Sequence, residues 1–370
     1  MYRFISSMFL LGAILTSNAH AQTISDANDA FEKKDYATAT SMYMKLAETG
    51  EMIAHHRLAL IYFNGLGTPK NYQQSLHWFS KAAERGMPSA YYNIGLHYAN
   101  GLGVPADQSM ALSFYQKDAE RGLAMAQSNL GQMYENGVGT EIDIPKALSW
   151  TRKAAEQGLA AAQHNLSTFY INGKGVPRDL IQAASWVEKA AIQGEAKAQN
   201  NLGSFYRAGI GFEKSDVQAF KWFGKAADQG LADGQYNFAR AYEEGRGTAK
   251  NTLQAIAWYQ RAIEQGHPNS MHNLGLIYLE GQGVQKDLQQ ALDLFTKAAS
   301  KGFANSQINL AIMYATGNGV KANLANAYFW FSLAAAQNNP AAIENLAIVE
   351  KQITPKQRME AQAMLKKWKP

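Results

Sequence analysis

Asn129–Gly139 reads NLGQMYENGVG. Two glycines one residue apart after an apolar segment suit a loop that cradles phosphate, and equally a helix that stops and reverses. The rest of the chain decides between them by repeating the phrase. Gly65 is followed at intervals of 36 residues by Gly101, Gly137 and onward to Gly317, and each has a partner two positions on, from Gly67 to Gly319. A second series runs from Gly50 to Gly302 with the same spacing and no insertion. Self-similarity at this period is the mark of a solenoid. A dinucleotide loop follows a strand and precedes a helix, whereas this pair follows a helical pattern and no G-K-[ST] succeeds it. The stretch is read as a corner.

One unit, Leu123–Gly158, is LAMAQSNLGQMYENGVGTEIDIPKALSWTRKAAEQG. Ala126, Leu130, Gly131 and Tyr134 share one helical face, and Ala147, Trp150, Ala154 and Ala155 another, with Pro145 near the start of the second helix. The unit is therefore two antiparallel helices, each of about three turns. Small residues recur at two places in the first helix, from Ala54 to Ala342 and from Ala59 through Gly95, Gly131 and Gly203 to Ala347. A glycine inside a helix costs about 1 kcal/mol against alanine, so its recurrence predicts a neighbouring helix too close for a side chain. The large complement is assigned to the tyrosines from Tyr62 to Tyr314 and to Trp78, Phe114, Trp150, Trp186, Trp222, Trp258 and Trp330, all expected in the core, with Leu294 the departure. The row from Asn93 to Asn345 is read as structural, each amide serving backbone at a loop or helix end.

The fold class expected is all-α, a right-handed α/α superhelical solenoid of 36-residue helix-turn-helix repeats. Its parts are a signal peptide over 1–21, an N-terminal capping hairpin over 22–50, eight repeats over 51–338, and a C-terminal half-repeat with capping helix over 339–370. Thr354 caps that last helix, with Pro355 at its first position and Gln357 at its third.

Met1–Ala21 has a positive charge at Arg3, an apolar run from Met8 to Leu15 and the small-residue ending Ala19-His20-Ala21. That is the pattern of a secretory leader cleaved before Gln22, which places the mature chain in the periplasm or outside the cell. No later stretch is long and apolar enough for a membrane span. The absence of cysteine excludes disulfides, thiolate catalysis and cysteine-rich metal sites. The formal charge of +5, or +4 without Arg3, is dispersed, which does not suit nucleic acid. His55 and His56 cannot share a helix face, and His97, His164 and His272 belong to different first helices and are expected at the surface. No H-E-x-x-H, G-x-S-x-G or carboxylate pair stands out, so no metal, cofactor or catalytic residue is assigned.

AYYNIGLHYANGLGVPAD from Ala90 and ALSWTRKAAEQG from Ala147 carry a recognisable pattern. The chain resembles the Sel1-like repeat proteins, 36-residue relatives of tetratricopeptide arrays, over about Glu51–Asn338. The resemblance implies a superhelix whose first helices line a concave face, and secreted members that bind protein as adaptors, host-interaction factors or envelope regulators. It also includes cysteine-rich members with penicillin-binding or β-lactamase activity; this chain has no cysteine, and that activity does not carry over.

Constant positions build such an array, and variable ones on the adjacent face are free to recognise a partner. They include Tyr92, Glu135, His164 and His272, and a central polar groove of Arg207, Tyr236, Arg240 and Glu243. Any one of them taken singly is also an ordinary solvated position. The expected function is an exported, non-catalytic scaffold for a protein or peptide partner. A glycan-binding protein and a cell-wall enzyme are the alternatives, the first requiring an exposed aromatic row and the second a clustered, perturbed carboxylate pair.

Overall fold

Ala124–Asn136 forms the helix that enters the quoted corner, and it ends at Gly137, with φ 68° and ψ 35° in the left-handed region and an N–H reaching back to the Met133 carbonyl. Gly139 takes φ 69°. The Asp143 N–H then closes the loop on the Tyr134 carbonyl at 2.9 Å. The Asp143 carboxylate accepts the Lys146 N–H at 3.0 Å and so starts the second helix, Ile144–Glu156. Glycine makes the left-handed step cheap, and an acidic cap satisfies the open helix start. The stretch is a corner.

The same closure recurs from Asn71 to Tyr62, Asp107 to Tyr98, Ser215 to Tyr206, Asn251 to Tyr242, Asp287 to Tyr278 and Asn323 to Tyr314, all at 2.8–2.9 Å. The second glycine of each loop has a separate task. A Cβ built at Gly103 would stand 2.7 Å from the Gln73 nitrogen, and one at Gly247 would collide with the Asp216 carbonyl oxygen. The loop rests on the start of the preceding repeat's second helix.

This structure, a computed structural model, describes residues 23–368; the leader read over 1–21 lies outside them. The chain divides after Asp179 into two compact units. The first, over its described residues, begins with a helix over 23–32 and Tyr36–Glu48 and continues in hairpins to Ala160–Asn172. The second runs from Leu180–Ile192 to Pro340–Glu350 and Pro355–Lys367. Both are all-α, with no strand among the described residues, and the fold is an α/α solenoid of 36-residue helical hairpins.

Within a hairpin, the small residue of the first helix meets a side chain twenty positions later. A Cβ added at Gly95 would lie 2.6 Å from the Tyr115 ring, and Cβ atoms at Gly203 and Gly275 would lie 2.7 Å from Phe223 and Phe295. Phe79, Phe223, Tyr259, Phe295 and Phe331 are each at most 1% exposed. The expected core series is therefore displaced by one position, except at Trp330, which is itself in the core. Phe114, Trp150, Trp186, Trp222 and Trp258 are half-buried, as are the tyrosines of the constant row apart from Tyr134. One step along a helix turns a side chain by about 100°, from the centre of the contact to its flank. There Lys153, Lys189, Lys225 and Arg261 lie over the rings of Trp150, Trp186, Trp222 and Trp258 at 3.9–4.2 Å from their centroids.

Polar groups tie successive hairpins together. In the second unit the Gln229 amide donates to Gln199 at 2.7 Å, Gln265 to Gln235 at 2.9 Å and Gln337 to Gln307 at 3.0 Å. Gln199 and Gln307 in turn donate to buried carbonyls of the preceding helix, Ala191 and Ala299. Leaving such an amide unpaired would cost about 1–3 kcal/mol. The asparagine row departs from its expected capping role. Asn93 and Asn345 bond carbonyls at the start of their own helices, but Asn237 reaches Asn200 at 2.8 Å and Asn273 the Tyr259 hydroxyl at 3.0 Å.

Both described ends are sealed. Tyr43 is buried and donates to Asn28 at 2.7 Å. The last helix has the Thr354–Gln357 capping box, and Trp368 sets its ring against Phe329 and Trp330. The loop glycines give a graded prediction. Gly245→Ala meets only the Lys250 side chain and backbone, at 3.2 Å or more, and is expected to cost about 1–2 kcal/mol from its left-handed φ. Gly247→Ala adds the clash with Asp216 and is expected to cost roughly 2–5 kcal/mol. Urea unfolding of both variants measures the difference, and equal losses would contradict the inter-repeat contact.

Candidate partner-binding surface

Three of the face residues lie in the first unit, each with local partners. The Tyr92 N–H donates to the buried Asp118 carboxylate at 2.8 Å, and its ring tilts against Tyr115. Burial pushes the Tyr92 phenol up, with a hydrogen bond from Asn129 opposing it. Glu135 accepts from Lys174 at 3.0 Å. His164 is half-buried.

In the second unit Arg207 and Arg240 come together between the first helices Ala196–Ala208 and Ala232–Glu244, with Tyr236 beside them against Tyr259 and His267. The Arg207 guanidinium lies 5.2 Å over Phe223, the ring packed on Gly203. Arg240 lies 5.8 Å over Tyr236 and pairs with Glu244 at 2.5 Å, while Arg246 holds the other Glu244 oxygen at 2.7 Å. With Glu244 clasped by two arginines, Arg207 forms no ion pair among the described residues. The Asn237–Asn200 bond spans the two helices, and Asp216, Phe220 and Phe223 complete the cleft.

The electrostatics follow the geometry. Burial pulls the Arg207 pKa down, and Arg240 and Arg246 add repulsion that Glu244 only partly offsets. Burial also pulls on Arg240, but the Glu244 hydrogen bond and charge outweigh it and leave that pKa raised. Glu243 points to a different partner. It accepts from the Tyr259 hydroxyl at 2.5 Å, and its pKa is raised, by burial first, against the lowering effect of that bond.

The histidines depart from expectation. His97 is fully buried, with Nε2 3.1 Å from the Ser75 hydroxyl and Nδ1 2.7 Å from the Leu102 carbonyl. His272 is tucked against Phe295 and Phe303, with Nδ1 3.0 Å from the Ser306 hydroxyl. A neutral imidazole fills such a place because it packs as a ring and still satisfies a nearby polar atom. His272 is therefore part of the packing, away from the arginine cleft.

Glu244, Arg246 and Asn237 are the residues that the face periodicity missed, whereas Asn200 falls on its stripe with Arg207. Arg246 stands between the two glycines of its loop, and Lys174, which pairs with Glu135, occupies the same place in another repeat. The variable residue of Gly-x-Gly is thus a loop-borne contributor to the first-helix face. Among the described residues no three metal-ligating side chains cluster, and no helix is long and apolar enough to cross a membrane.

Comparison with known proteins places these hairpins. The Sel1 repeat pattern matches eight consecutive segments, residues 53–87, 88–123, 124–159, 160–195, 196–231, 232–267, 268–303 and 304–339. A Sel1 repeat protein from Oxalobacter formigenes is similar at 32% identity, over 84% of this chain and 89% of its own, with a TM-score of 0.60. A protective antigen of uropathogenic Escherichia coli displaying an SLR fold is 31% identical over 89% of this chain and 94% of its own, with a TM-score of 0.46. An immunity protein from Pseudomonas aeruginosa is 21% identical over 57% of this chain and 80% of its own, with a TM-score of 0.38. No curated protein matches the chain.

The half-buried His272, packed against two phenylalanine rings, makes a pH prediction. Burial lowers its pKa to about 4, below the roughly 6.5 of an unfolded histidine. As pH falls through that window the unfolded chain takes the proton first, so acid favours unfolding. Stability is expected to be full above pH ~6.5 and to decline toward pH ~4. His55, His56, His97 and His267 are also lowered by burial and act with the same sign. Thermal midpoints across this range should fall less steeply in His272→Gln, and an imidazole titrating near 6.5 by NMR would refute the burial assignment.

Proposed function

This chain belongs to the Sel1 repeat family, whose members generally serve as protein-interaction scaffolds, and on that premise we propose that it is an exported, non-catalytic scaffold for a protein or peptide partner. The partner is gripped on the first-helix face of the second unit, at Arg207, Tyr236 and Arg240. The observation that carries this reading is the Arg207 guanidinium, held over an aromatic ring in the cleft without a carboxylate of its own. A half-desolvated arginine gains most from an incoming carboxylate or carbonyl, and tyrosine and arginine are the side chains that most often anchor interfaces.

Export is supported by the Met8–Leu15 apolar run and the Ala19-His20-Ala21 ending, which suit delivery to the periplasm or the medium and a role in envelope processes or host contact. The glycan alternative has less support. It needs an exposed row of rings, whereas Trp150, Trp186, Trp222 and Trp258 are half-buried beneath basic side chains. The enzyme alternative needs paired carboxyls free to exchange protons, whereas Glu243 is engaged by Tyr259 and Glu244 by two arginines.

The test is capture from envelope and culture-medium fractions with the mature protein and with the combined Arg207→Ala, Tyr236→Ala, Arg240→Ala variant. Loss of three anchors predicts partner recovery lower by about tenfold or more, with the helical circular-dichroism signal retained. Unchanged recovery would remove this cleft from the account.

A further inference from the structure

The rings flanking the second helices come in a repeated setting. In the second unit, Lys225 and Arg261 lie over the half-buried rings of Trp222 and Trp258 at 3.9 and 4.2 Å. Trp258 also meets Phe238 of its own first helix edge-on at 5.2 Å. Thirty-six residues after Trp258 the chain has Leu294, yet it keeps the cation three positions on, Lys297. The shorter side chain leaves the place unfilled. A cleft of about 400 Å³ opens there, floored by Leu274, Tyr278, Leu294 and Ile263, with Lys297 on its rim.

Three features of this cleft specify its occupant. Its site is the one that other repeats fill with a ring of their own. Its floor includes Tyr278, whose counterpart Tyr98 stacks on Phe114 at 5.5 Å and 14°. Its rim carries an ammonium that has no ring beneath it and forms no ion pair among the described residues, while the nearby Asp293 carboxylate is engaged by Gln289 at 3.1 Å. An aliphatic side chain would fill volume; an aromatic one would also stack on Tyr278 and meet the Lys297 charge.

We propose that the Leu294 cleft receives an aromatic side chain of a protein partner, the ring entering where neighbouring repeats carry their own indole. The cleft lies between the second helices Thr252–Glu264 and Leu288–Ser300, whereas the arginine cleft lies between first helices. It rests on the scaffold reading for the source of the ring but not for the existence of the site.

The test uses the mature protein carrying ¹³C-labelled Leu and Ile methyl groups, titrated with N-acetyl-tryptophan amide and, separately, N-acetyl-leucine amide. The tryptophan probe should give saturable ring-current shifts at Leu294, Leu274 and Ile263, and the leucine probe should bind at least about fivefold more weakly. Lys297→Ala should weaken the tryptophan probe about two- to fivefold. Leu294→Trp should fill the cleft, keep the helical signal and abolish probe binding, while the arginine-cleft variant should bind the probe as the parent does. Non-saturating shifts, equal binding of the two probes, or binding that survives Leu294→Trp would overturn the proposal. If Leu294→Trp does not fold, an unchanged affinity in Lys297→Ala serves as the contrary result. Such failure leaves partner capture at the arginine cleft untouched, so the two readings fall separately.

Discussion

A first helix lies close against the second only where one of them carries almost no side chain. At Gly203 and Gly275 the backbone itself is the contact surface, and the facing Phe223 and Phe295 rings occupy the space a Cβ would take. Helices of about thirteen residues, such as Ala196–Ala208, are marginal alone and depend on burial against neighbours. The small–large contact sets how near the two helices of a hairpin come. The second loop glycine, resting on the start of the preceding hairpin's second helix, and the glutamine pairs then tie one hairpin to the next.

Much of this is legible in the amino-acid sequence because it repeats without interruption. The glycine series locates the corners, and Gly137 and Gly139 adopt the left-handed conformations that a corner demands. The small positions are visible because no side chain other than a tiny one fits there. The buried partner is less visible because several shapes meet the same need: phenylalanine, tyrosine, threonine and valine, at Phe79, Tyr115, Thr151 and Val187, all fill the position. The more constant tryptophan one residue earlier attracts attention, although it flanks the core. There each ring is paired with an overlying cation, a local pairing that spacing alone does not distinguish from burial.

The candidate site was legible in part for the same reason. Helical periodicity brings Arg207, Tyr236 and Arg240 to one face; the two arginines line the cleft, and Tyr236 lies beside it under Arg240. The same periodicity steps over Asn237 and Glu244, and it says nothing about Arg246, which arrives on the loop. Glu243 and His272 fall on the chosen stripe but are drawn to Tyr259 and to Phe295, because a helix buried on two sides has a narrow free face. Variation is thus concentrated where packing leaves room: the first-helix face, the residue between the loop glycines, and the one second-helix position where leucine replaces an indole.

The close approach of the two helices is tested most directly by a double-mutant cycle on Gly203→Ala and Phe223→Val. Valine is the residue that another repeat, at Val187, already uses in that place. With Phe223 present, the added methyl group should destabilise the protein by about 1–3 kcal/mol. With valine opposite, that loss should shrink or reverse toward the roughly 1 kcal/mol helix-propensity gain of alanine over glycine, giving a coupling of about 0.5–3 kcal/mol. Equal effects of Gly203→Ala in both backgrounds, or a gain in stability with Phe223 intact, would contradict the contact on which the stacked hairpins depend.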